Sequence, residues 1–240
     1  MLDYEPMYKR VLLKISGEQL AGDFDNGVDP KVVEYFANEV KKAKESGCQV
    51  VVVIGGGNLV RGAEIAGHGI RRVTGDHMGM LSGLINAMAL TDIFEHKGLE
   101  TRCLSNIFAD QVAEMYSFRR ADKHLAQNRV VVVAGGTGRP YFTHDTAAVN
   151  IALELSCDVV LKATKVDGVY DKDPVKHQDA RKLDKLSYQE AVENPAIKVM
   201  DKAALGLAME QHMPVIIYDA ITPDNLWRIA KGEDVGTTIS

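Results

Sequence analysis

Between Val50 and Arg61 the chain reads VVVVIGGGNLVR, five apolar residues, four of them valines, running straight into three consecutive glycines. The run is too short for a helix and too apolar for a half-exposed strand, so it predicts the centre of a parallel sheet covered on both faces. Gly55, Gly56 and Gly57 remove every Cβ from the turn that follows. A bulky ligand could therefore approach the peptide N–H groups closely, with positive φ available where needed. Asn58 is expected to open the next helix, whose partial positive end would face the turn. Phosphate is the guest such a turn suits.

The plan recurs in RVVVVAGGTG (Arg129 to Gly138), in DVVLKAT (Asp158 to Thr164) and in RVLLKISG (Arg10 to Gly17). Ligands of open α/β sheets gather outside the carboxyl ends of the strands. Lys14, Gly56, Gly57, Thr137, Gly138 and Lys162 are thus expected along one edge.

With 240 residues and no Pro/Ser-rich linker or charge block, residues 1–240 are read as a single domain. A net charge of −5 provides no steering field for nucleic acid or an anionic membrane. No apolar run approaches the ~18 residues of a membrane span, and MLDYEPMYKR lacks an apolar leader segment, so the cytoplasm is the expected compartment. Cys48, Cys103 and Cys157 have no metal-like spacing and read as reduced, buried thiols.

Along the chain, Asp29-Pro30 supplies an N-cap and first-turn proline for a helix with Val32, Val33, Phe36, Ala37, Val40 and Ala43 at helical spacing, closed by Gly47. Asp76 to His96 is predicted as a long helix with Met80, Leu84, Ala87, Met88 and Ile93 inward. A strand near Thr101 to Leu104 precedes one or two helices between Asp110 and Ala126. Asp145 to Ser156 is helical, with Ala148, Ile151, Ala152 and Leu155 inward. Lys165 to Lys185 reads as a polar loop with a turn at Asp173-Pro174. Ser187 and Glu190 form a capping box, Asp201 to His212 is a helix, Pro214 to Tyr218 a strand, and Trp227 lies in a last helix. The βα alternation predicts helices on both faces of one sheet.

Familiar signatures are missing. No glycine is followed by lysine, which excludes a Walker-type loop, and neither glycine cluster fits G-x-G-x-x-G. H-E-x-x-H, G-x-S-x-G and C-x-x-C do not occur either. What remains is glycine turns for oxygens and strand-end lysines for charge, the parts that phosphoryl transfer needs. Alone, Lys14 and Lys162 would be ordinary lysines reaching solvent; their convergence on one edge favours phosphate. Asp145, Asp76 and Asp201 each suit an N-cap as well as a role beside the lysines or a metal. Arg61 could reach a phosphate from one turn beyond the glycines, or lie solvated. Tyr170 could stack on a base or pack its loop. His68, His77 and His144 lack ligand spacing, and no resident metal site is assigned.

Together, KISGE (14–18), IGGGN (54–58), GDHMGM (75–80), GTGRPYFTHD (136–145) and KATKVDGVYDKDP (162–174) closely resemble bacterial uridylate kinases, in matching order over almost the whole chain. The resemblance implies the amino-acid kinase fold, a three-layer αβα sandwich with a mostly parallel sheet. It implies transfer of the ATP γ-phosphate to UMP, giving UDP, with Mg²⁺. By matching position, Lys14, Ile15, Ser16, Gly17, Gly57, Arg61, Thr164, Tyr170 and Asp173 would hold ATP. Gly56, Asp76, Thr137, Gly138, Arg139, Pro140, Tyr141, Phe142, Thr143 and His144 would hold UMP. Lys14, Lys162, Asp145 and Asp201 are the candidates for organising the transition state. Family members are hexamers, commonly activated by GTP and inhibited by UTP. Gly22, Asp23, Phe24, Asp25, Asn26 and Gly27 match the GTP-responsive region in position but differ from it in spelling.

Two departures touch the acceptor side: Arg139 replaces the usual asparagine and His144 the usual threonine. A cationic His144 would favour a phosphate, so the UMP Michaelis constant is expected to vary between about pH 5.5 and 8. Two alternatives stand beside this reading. One is a kinase of the same fold acting on carbamate or a carboxylate; the other is a nucleotide sensor without turnover.

Overall fold

A computed structural model of the chain describes residues 6–172, 174, 176–177, 179–194, 197 and 199–240. Asp173, expected in a turn and at ATP, lies outside the described residues.

The chain opens with β1 (Arg10–Ile15), the short helix α1 (Gly17–Leu20) and α2 (Pro30–Glu45), then β2 (Gln49–Ile54), a single helical turn α3 (Gly62–Ile65) and the long α4 (Arg72–His96). Next come β3 (Thr101–Ser105), β4 (Glu114–Met115), α5 (Phe118–Ala126), β5 (Val130–Ala134), α6 (His144–Glu154) and β6 (Val159–Thr164). The remainder is β7 (Val169–Tyr170), β8 (Lys182–Leu183), β9 (Lys185–Leu186), α7 (Tyr188–Glu193), α8 (Lys202–Glu210), β10 (Val215–Asp219), α9 (Asn225–Ala230) and β11 (Thr237–Ile239).

Nine strands form one sheet in the order β4-β3-β5-β2-β1-β6-β10-β11-β9. The pairings are parallel except that β11 runs antiparallel to β10. Because side chains alternate along a strand, Val11, Leu13 and Ile15 of β1 join Val50, Val52 and Ile54 of β2 on one face, under α2, α4 and α9. Leu12, Val51 and Val53 face the other way, under α5, α6, α7 and α8. The expected sandwich and its valine-rich centre are therefore present, and both faces of the valine strands are dry.

Local chemistry accounts for the boundaries. Asp29 caps α2 by accepting from Lys31 N–H, with Pro30 at its first position, and Gly47 takes φ +91° just past the end. Ser187 and Glu190 form the expected capping box on α7. All three cysteines are free and buried.

Several expectations are corrected. Asn58 opens no helix; it sits in the turn, buried, with its amide spent on backbone and on Asn86. Helix α4 begins at Arg72, so Asp76 lies in its second turn, and Met88 is 41% exposed rather than inward. As expected, the stretch from Asp110 to Ala126 holds a helix, α5, with β4 before it. The loop expected from Lys165 to Lys185 contains the paired strands β7 and β8. The closing strand β11 and its neighbour β9 carry too few residues for an alternation to be read.

Candidate active site

Four strands deliver their carboxyl ends to one rim of the sheet. Lys14 and Lys162 are register partners on adjacent strands β1 and β6. Both side chains point to the α6 face, the same face as Leu12 and Val160. Two ammonium groups so placed repel unless an anion separates them. Asp145, in the first turn of α6, does so: its Oδ1 is 2.7 Å from Lys14 Nζ and its Oδ2 2.7 Å from Lys162 Nζ. The three side chains are only 10%, 16% and 12% exposed for Lys14, Lys162 and Asp145. Burial by itself would raise the Asp145 carboxyl, but the two ammonium groups outweigh it and hold the pKa below the ordinary carboxylate value. Burial lowers Lys162, the Asp145 charge opposing it and Lys14 reinforcing it.

Asp145 is not the N-cap of its helix. Thr143 is: its hydroxyl accepts from Asp145 N–H at 3.0 Å and donates to Asp201 Oδ2 at 2.5 Å. Thr146 also donates to Asp201. Asp201 in turn caps α8 by accepting from Ala204 N–H at 2.9 Å. It therefore touches neither lysine by hydrogen bond; it locks the start of α6, and hence Asp145, against the start of α8. Lys162 is further tied to the Val199 carbonyl just upstream.

The first glycine turn is built for close approach. None of Gly55, Gly56 and Gly57 has positive φ. A Cβ on Gly56 would lie 2.5 Å from Gly79 O and 2.7 Å from Gly83 N, so the turn rests directly on the backbone of α4. Further along, a Cβ on Gly62 would lie 2.3 Å from Gly75 O. Gly75, Gly79 and Gly83 stand four apart, which puts them on one helix face. That spacing in GDHMGMLSG was a legible signal of a backbone running along the helix.

The second turn is different. Gly135, Gly136 and Gly138 have φ of +78°, +56° and +70°. Thr137 Oγ1 accepts from Arg139 N–H at 3.2 Å, Pro140 follows partly buried, and Arg139, Tyr141 and Phe142 are exposed. Asp76 joins this segment to α4: one oxygen accepts from Tyr141 N–H and the other from Arg72 Nε, both at 2.8 Å. His144 places its Nε2 between the turns, 3.1 Å from where a Gly83 Cβ would stand and 3.7 Å from that of Gly136, buried and without a hydrogen-bond partner among the described residues. Burial, then the Lys14 charge, pushes its pKa down to about 4. Burial and the Lys14 charge thus favour the neutral imidazole over the cationic form in this structure.

The other predicted residues surround the same rim. Ile15 is buried, Ser16 N–H donates to Gln19 Oε1 at 3.2 Å, and a Cβ on Gly17 would meet Gly55 O at 2.6 Å. Arg61 is held at the side of the first turn by Glu18 at 2.6 Å and Glu64 at 3.0 Å. Thr164 donates to Tyr218 O at 2.9 Å, and the Tyr170 hydroxyl to Asp167 at 2.7 Å. Gly22 to Gly27 form a loop leading away from α1, exposed from Gly22 to Asn26 and half-buried at Gly27. Sequence reading missed Thr146 and Asn86, the latter an ordinary polar letter inside a helix.

Among the described residues, no group of three or more His, Cys, Asp or Glu side chains could hold a metal ion, and both Asp145 oxygens are on lysines. No described helix is long and apolar enough to cross a membrane.

A parallel sheet whose strand ends carry two lysines on one carboxylate, between two glycine turns, is the frame of an enzyme that transfers phosphoryl groups. The chain belongs to the amino acid kinase family, whose model matches residues 9–219. It is 48% identical over 235 residues to the uridylate kinase of Xanthomonas euvesicatoria pv. vesicatoria strain 85-10, covering 98% of each chain. It superposes on the crystal structure of UMP kinase from Bacillus anthracis with a TM-score of 0.93 and 39% identity, over 97% of this chain and 96% of that one. For UMP kinase from Ureaplasma parvum the values are 0.90 and 29%, over 97% and 98%.

Proposed function

We propose that ATP and UMP lie end to end along this rim and that the chain transfers the ATP γ-phosphate to UMP, yielding UDP and ADP for pyrimidine nucleotide synthesis. The carrying observation is the Lys14–Asp145–Lys162 bridge set between the two glycine turns. A UMP phosphate oxygen attacks the γ-phosphorus as the bond to the ADP oxygen breaks. The attacking oxygen is already anionic, so no base is required. Lys14 and Lys162 neutralise the spreading charge, Asp145 keeps them apart, and Asp201 holds Asp145 in place through α6. Positioning and charge supply the catalysis.

Ile15, Ser16, Gly17, Gly57, Arg61, Thr164, Tyr170 and Asp173 complete the ATP side with Lys14. Gly56, Asp76 and residues 137–144 form the UMP side, His144 as a neutral donor to the acceptor. The divalent cation, Mg²⁺, enters with the nucleotide phosphates. A cytoplasmic homohexamer, activated by GTP and inhibited by UTP, completes the proposal. Self-association is supported by Leu81, Ile85 and Met88 on one side of α4, which are 48%, 54% and 41% exposed. A coupled assay offering ATP with UMP, CMP, carbamate or acetylglutamate, with and without GTP and UTP, tests this. UDP formation from UMP is the expected result, and preferential turnover of a small carboxylate or carbamate would sink it.

A further inference from the structure

The buried amide of Asn86 lies in the middle of α4, 0% exposed, and has no part in the chemistry described so far. A polar side chain so placed costs stability unless its hydrogen bonds are met. None of them goes to its own helix. Asn86 Nδ2 donates to Gly55 O and to Asn58 Oδ1, both at 2.7 Å. Asn58 Nδ2 returns a bond to Asn86 Oδ1 at 3.0 Å and donates to Gly27 O at 2.6 Å. Gly27 N–H donates to the Asn58 carbonyl at 3.3 Å. The same Asn58 Oδ1 stands 2.5 Å from where a Cβ on Gly17 would be, so the turn after β1 closes on it too.

Two amides thus join four backbone segments: the turn after β1, the glycine turn after β2, the end of the 22–27 loop and the middle of α4. We infer that Asn58 and Asn86 are positioning residues that fix the orientation of the first glycine turn toward phosphate and couple it to the 22–27 loop. This rests on the reading that residues 55–57 receive a nucleotide phosphate. The pair touches no substrate; it acts by aiming the peptide groups that do. An apolar side chain of similar shape at position 86 would keep the helix packed and release the turn.

The test compares Asn86→Leu with the unaltered protein in titrations with ATP and with adenosine, alongside turnover and melting temperature. The ATP dissociation constant is expected to rise about tenfold while that of adenosine stays within about twofold, and turnover to fall about tenfold or more. A merely structural role would shift both ligands alike or neither, and either result overturns the inference whatever the melting temperature does. Where Asn86→Leu yields no folded protein, Asn58→Ser carries the same measurement. Lys14→Ala is read in parallel. If its turnover is also unchanged, the phosphate reading itself has failed; if it is inactive while the asparagine variants bind normally, only the positioning claim falls.

Discussion

Gly56 and Gly136, one in each glycine turn, use one residue type for opposite reasons. After β2, Gly56 keeps ordinary φ and is required because α4 lies against it with no space for a Cβ. After β5, Gly136 has its nearest side-chain neighbour at 3.7 Å but a φ of +56°, so conformation rather than crowding demands glycine there. The first turn is clamped from behind by a helix, while the second leads into the exposed Tyr141 and Phe142. A clamped turn shared by donor and acceptor, through Gly57 and Gly56, and a more open one on the acceptor side alone suit an acceptor that must enter and leave.

The bridge between the turns sets the largest effect. Lys14→Ala is expected to lower turnover by about 10²- to 10³-fold while UMP affinity changes by less than about threefold, because its charge matters most as phosphoryl oxygens develop charge in transit. Steady-state kinetics with equilibrium binding of UMP decides it, and unchanged turnover removes Lys14 from the mechanism. Next comes Gly56→Ala, where the added methyl must displace backbone of α4. A loss of about 2–3 kcal/mol, read by denaturant unfolding, should accompany reduced turnover. Gly136→Ala should cost less, about 1–2 kcal/mol, because only left-handed strain opposes it. Equal losses at Gly56 and Gly136 would erase the distinction between the turns.

The smallest effect concerns His144. With its pKa at about 4, the imidazole contributes no inflection to the UMP Michaelis constant between about pH 5.5 and 8. Its stability contribution has a definite sign. The folded state holds the proton less tightly than the unfolded state at 6.5, so unfolding free energy falls as pH drops from 6.5 toward about 4. Unfolding of the unaltered protein and His144→Thr at pH 5 and pH 7 should show that slope reduced in the variant. An equal slope in both would place the acid sensitivity elsewhere.

What could be read from the letters follows from how local the signal is. The valine runs announced a sheet dry on both faces, and the lysines at strand ends announced a charged rim, because alternation and strand length are local properties. Asp145 was harder: next to a helix start it looks like a cap, and only the position of Thr143 two residues earlier shows that the cap is taken. Asn86 gave no signal at all, since its partners lie 28 and 31 residues away. The strands β9 and β11, at two and three residues, are too short to announce themselves. The left-handed Gly136 and the crowded Gly56 are indistinguishable as letters.

Lys14 and Lys162 occupy one rung of a parallel ladder. The separation of their Cα atoms is therefore set by the spacing of neighbouring strands, about 4.8 Å, and Asp145 sets that of the ammonium groups. Changing that gap would require slipping a whole strand, which would also turn every valine behind it to the wrong face. The protein's caliper for its reaction is thus the peptide hydrogen-bond lattice, and the precision of the chemistry is inherited from the most rigid part of the molecule.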